Sequence, residues 1–149
     1  MGWISAVASI AAASQASAAG KYNQAVQERN ARVAEQEAEQ MEKQKEFDLV
    51  RFDQQFSQLQ GETKTAILTS GVELSGSGLN VMRYNAQQAE IEKDILDYNS
   101  KVAQSQKMEE ANFARMRGQI ARNEAKAAQI GYYAQAGQSL INIMDNYYT

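Results

Sequence analysis

The sequence predicts an all-α chain, and three observations carry that prediction. Proline is absent from all 149 residues, so no position forces a kink or removes a backbone donor inside a helix. Alanine, glutamine, glutamate and lysine dominate, and these lose little freedom on entering a helix. Apolar residues recur at steps of three and four, the period of one helical face. The hydrophobic share of 44% is inflated by alanine, and only 8% of residues are aromatic. With a mean hydropathy of -0.56, this composition suits long helices packed side by side better than one thick core.

Residues 1–20 form the first expected element, a helix of small residues with Trp3, Ile4, Val7 and Ile10 as its bulk and no charge before Lys21. It lacks the basic start of a signal peptide, and Ala6 stands where a myristoylation motif needs Ser or Thr. It is just long enough for a membrane span but is diluted by serine. Its small side chains allow close packing with neighbouring helices, and the expected environments are subunit packing and lipid.

Residues 21–70 follow as a long helix. Its first half is strongly polar, with Val26, Val33 and Met41 spread thinly among charges, as on a solvated helix. From Leu49 the pattern tightens, because Leu49, Phe52, Phe56 and Leu59 step by three and four and lead to Ile67. Such a stripe calls for a partner helix.

Residues 71–79 are the expected hinge. Gly71, Gly76 and Gly78 lie there among serines, and glycine admits backbone angles closed to other residues. Gly71 suits the position just past a helix end, and Ser77 or Asn80 the cap of the next helix. Although 76–78 reads Gly-Ser-Gly, no strand precedes it and no Gly-Lys-Ser/Thr follows, so a phosphate loop is not indicated.

Residues 80–149 form the second long helix, with Ile91, Ile95 and Val102 on one stripe and Phe113 and Ile120 continuing the spacing. Gly118, Gly131 and Gly137 each cost about 1 kcal/mol against alanine, so breaks in the helix or close helix contacts are expected there. The end is aromatic and aliphatic, with Tyr147 and Tyr148 suited to a lipid–water boundary. A lone hairpin of such helices buries little area against the entropy of ordering it. The fold predicted is therefore a long helical hairpin, with the additional small-residue helix at its start, assembled into an oligomeric ring or bundle.

Histidine and cysteine are both absent. That removes thiol nucleophiles, Ser-His pairs and the usual ligands of zinc, and no cofactor is expected. The carboxylate pairs Glu109 with Glu110 and Glu90 with Asp94 read as solvated helix faces, not as an acid–base pair. No enzymatic role is expected. A net charge of -3, with each basic cluster interleaved with acids, argues against sequence-specific nucleic-acid binding.

Three features together resemble the smaller internal virion proteins, or ejection proteins, of short-tailed podovirus-type bacteriophages. They are the Met-Gly-Trp opening before an Ala/Ser-rich helix, the polar Gln/Ala/Glu helix, and the phrase Ala66-Ile67-Leu68-Thr69-Ser70-Gly71-Val72-Glu73-Leu74-Ser75-Gly76-Ser77-Gly78 running into Asn85-Ala86-Gln87-Gln88-Ala89-Glu90-Ile91. The resemblance implies a protein stored inside the capsid, near the portal, and released at infection to help form a conduit for DNA across the host envelope. It implies portal or core proteins and further copies of the chain as partners, contact with host membrane after ejection, and non-specific passage of DNA. The competing expectation is a helical adaptor or scaffold subunit of a phage portal, tail or other assembly, with no membrane role.

Overall fold

A computed structural model describes residues 2–71 and 76–147. Two α-helices account for nearly all of them, α1 over Gly2–Thr69 and α2 over Ser77–Tyr147. The all-α expectation holds. The separate first helix does not, because the expected helices 1–20 and 21–70 are, over Gly2–Thr69, joined through Gly20 into one unbroken α1. The expected segmentation of the second helix is likewise absent, since Gly118, Gly131 and Gly137 all lie inside continuous α2. With no proline nearby, a single glycine withdraws only about 1 kcal/mol, too little to interrupt a ladder bonded on both sides.

The hinge is also narrower than 71–79. Gly71 and Gly76 adopt φ of 76° and 71°, the left-handed region that favours glycine. Gly71 closes α1, where its N–H donates to the Leu68 carbonyl at 3.3 Å while Ser70 N–H donates to that of Ala66 at 3.1 Å. Gly78 is not part of the hinge, because it is buried in the first turn of α2. The Gly76 carbonyl accepts from Asn80 N–H at 3.2 Å and so occupies the cap position. Ser77 and Asn80 consequently fall within the helix.

The chain forms two compact units. One comprises Met1–Ala34 and Glu109–Thr149, the beginning of α1 paired with the end of α2. The other, Glu35–Met108, is a helical hairpin made of the rest of α1, the turn and the start of α2.

In the first unit the two helices run antiparallel across a seam of small residues. Ala31, Ala34, Ala111 and Ala114 form its buried cluster, with Ala31 and Ala111 fully inaccessible. Farther along the unit, Ala6, Ala13 and Ala136 are buried. Gly20 sits against Ala125, where an added Cβ would overlap the alanine's own. At Gly118 an added Cβ would lie 3.1 Å from that of Gln27. Side chains at a contact set how closely two helices approach, and here they are mostly hydrogen or methyl.

In the hairpin unit the seam is wider. Leu49, Phe52 and Phe56 are half-buried along α1, and Phe52 and Phe56 line an open cavity together with Ala89 of α2. The rings of Phe52 and Phe56 stack with centroids 6.4 Å apart, and polar residues complete the remaining contacts.

Candidate functional site

In the hairpin unit the seam carries charge. Lys45, only 12% exposed at its side chain, bridges the helices by donating to Glu42 Oε1 at 2.7 Å and Asp97 Oδ1 at 3.1 Å. Gln104 donates to the other oxygen of Glu42, and Lys101 pairs with the other oxygen of Asp97 at 2.6 Å. Hydrogen bonds from Lys45 and then Gln104 hold the Glu42 carboxyl below its ordinary value. Those from Lys101 and then Lys45 do the same for Asp97, while Glu42 and Asp97 raise Lys45. Lys107 with Glu37 at 2.7 Å and Lys93 with Asp53 at 2.8 Å tie the same two helices at further levels. In the other unit Arg122 donates to Gln24 Oε1 at 2.7 Å. Charge placement of this kind fixes helix register more than it adds stability.

The hairpin unit also holds an open cavity of about 280 Å³ beside the stacked phenylalanines. Phe52, Phe56 and Leu59 line it from α1, and Asn85, Ala89 and Glu92 from α2. Glu92 is the carboxylate in its lining. Among the described residues no group of three His, Cys, Asp or Glu is placed to hold a metal ion.

The expected packing residues divide into two sets. Leu49, Phe52 and Phe56 face the seam, whereas Leu59, Ile91, Ile95, Val102, Phe113 and Ile120 are exposed. The last five therefore do not pack α2 against α1. That work falls to the alanines, which the search for large apolar side chains passed over. The signal was in the sequence as Ala31-x-x-Ala34 and Ala111-x-x-Ala114, a three-residue step that places both members of each pair on one face.

The consequence is an inversion of the usual arrangement. In the first unit the bulky α2 residues Phe113, Met116, Ile120, Ile130 and Ile141 are 47–68% exposed, on the face opposite the alanine seam at 3.6 residues per turn.

One end of this unit is free of charge on both helices. The register that sets Gly20 beside Ala125 and Gln27 beside Gly118 carries residues 2–18 alongside 127–143, and neither stretch contains Asp, Glu, Lys or Arg. Ile4, Val7 and Ile10 are exposed there, as are Ile130, Leu140, Ile141 and Met144. The hydroxyls of Ser9, Ser14 and Ser139 donate to backbone carbonyls of their own helices at 2.8–3.0 Å, which satisfies them internally. The side chains of Trp3 and Tyr147, and the whole of Tyr148, lie outside the described residues. Among the described residues no helix is long and apolar enough to cross a membrane.

No family model, curated protein or solved structure matches the chain.

Proposed function

We propose that this chain is a structural subunit of a bacteriophage particle, an internal core or ejection protein held near the portal that helps form a conduit for DNA across the host envelope. The observation that carries the reading is the inverted helix pair, whose alanines face inward while its large apolar residues face outward. Such a chain is built to be covered by neighbours, since exposed apolar patches of this extent mark interaction surfaces. The paired charge-free stretches 2–18 and 127–143 supply the membrane half of the proposal. Two helices inserted together satisfy their own backbone groups, and their serines bond within the helix.

Val7→Asp with Ile10→Asp tests that half. Each aspartate adds roughly 2.5–3.5 kcal/mol at the centre of a bilayer, so leakage of dye from anionic liposomes should fall at least tenfold. Wild-type protein that oligomerises yet never associates with liposomes would remove the envelope role and leave a non-membrane adaptor of a portal or tail. That no helix among the described residues is long and apolar enough to cross a membrane is the observation that favours this second reading. Mass spectrometry of purified particles tests the virion assignment, which fails if the chain is not packaged.

A further inference from the structure

The unit formed by Met1–Ala34 and Glu109–Thr149 has two apolar edges, and they differ. On α1, Ile4, Val7, Val26 and Val33 are exposed, while on α2 the exposed residues are Phe113, Met116, Ile120, Ile130 and Ile141. Each edge lies on the side of its helix turned away from the seam of Ala31, Ala34, Ala111 and Ala114, so the two edges look outward in opposite directions. Neither helix can cover its own edge.

We infer that the occupant of each edge is a second copy of this chain, with the α1 edge of one copy seated on the α2 edge of the next. This deepens the assembly reading above and depends on neither the phage nor the membrane part of it. Two observations favour it. The antiparallel register of the unit puts Ile4 level with Ile141, Val26 with Ile120 and Val33 with Phe113. A neighbour standing at the same height therefore meets bulk with bulk, without sliding along the helix axis. Arg29 and Arg32 stand by Val33 on the α1 edge, and Glu109 stands one turn before Phe113 on the α2 edge with Arg115 and Arg117 beyond it, so the acid of one edge lies toward the bases of the other at that end. Because the two edges are different surfaces, the contact is head-to-tail, and repetition generates a ring when the rotation closes.

The chain contains no cysteine, which makes disulfide mapping direct. Val26→Cys and Ile120→Cys, placed together in the full chain and oxidised with copper phenanthroline, should give a ladder of covalent oligomers, because the two positions face away from each other within one copy. Each single variant should stay monomeric on a denaturing gel, and a mixture of the two should stop at the dimer. Efficient dimers from either single variant would overturn the inference by showing a two-fold contact. So would an unlinked double variant that still sediments as an assembly, or a wild-type chain that sediments as a monomer. If the cysteines reduce helicity, a charge pair decides instead. Ile120→Lys should dissociate the assembly and added Val26→Glu should restore it, and failure of restoration counts against the contact. A chain that ladders but leaves vesicles intact retires the envelope role alone; one that breaches vesicles without laddering retires this contact alone.

Discussion

At the scale of single residues, glycines of the same helical conformation have opposite roles according to what faces them. Gly131 and Gly137 meet nothing within 4 Å of an added Cβ, so Gly→Ala at either should raise stability by about 0.5–1 kcal/mol through helix propensity alone. Gly20→Ala gains the same propensity but overlaps Ala125, and the helices must part to admit it. Its urea midpoint should therefore fall where those of the other two rise. Ala111→Leu makes the same point from the other side of the seam, since adding bulk to a filled contact costs about 1–3 kcal/mol. At the turn, Gly71→Ala and Gly76→Ala should each cost about 1–2 kcal/mol, because both residues hold positive φ.

Among the elements, the paired helices of the hairpin unit depend on the Lys45 network, and its protonation gives the unit a pH dependence. Glu42 and Asp97 are held below their ordinary values of 4.5 and 3.8. A carboxyl lowered on folding contributes stability that is fully present above its ordinary value and is lost as the pH falls through the lowered one. The urea midpoint should accordingly be flat from neutral pH down to about pH 5 and decline below it. Lys45→Met should flatten that decline, because it removes a partner from both carboxyls at once. An unchanged profile in the variant would show that these ion pairs do not contribute. Lys45 works in the opposite sense: its raised value gives a contribution present at neutral pH and lost only as the pH rises beyond 10.5.

For the whole molecule, the exposed apolar residues make association the expected state. Sedimentation of the purified chain should give a helical oligomer, and a cooperative monomer of 16.5 kDa would contradict the reading. Phe113→Ala should leave helicity nearly unchanged, because the ring contributes nothing to the alanine seam, yet it should shift the assembly toward smaller species.

Much of this was legible in the sequence. Absence of proline and the weight of good helix formers determined that the chain is helical, and the run of glycine and serine after Thr69 determined where one helix yields to the next. The half-buried positions Leu49, Phe52 and Phe56 followed from their spacing. What periodicity alone could not decide was which of two stripes on α2 faces α1. A stripe of alanine at steps of three and four and a stripe of isoleucine, phenylalanine and methionine at the same steps are both valid helix faces, and size favours the second as core. Only the tertiary structure placed Ala111 and Ala114 inside and Phe113 and Ile120 outside. The physical reason is that a close approach needs small residues on both helices at the same levels, a match of Gly20 with Ala125 and of Ala31 and Ala34 with Ala111 and Ala114 that lies in the pairing of distant segments and not in either segment by itself.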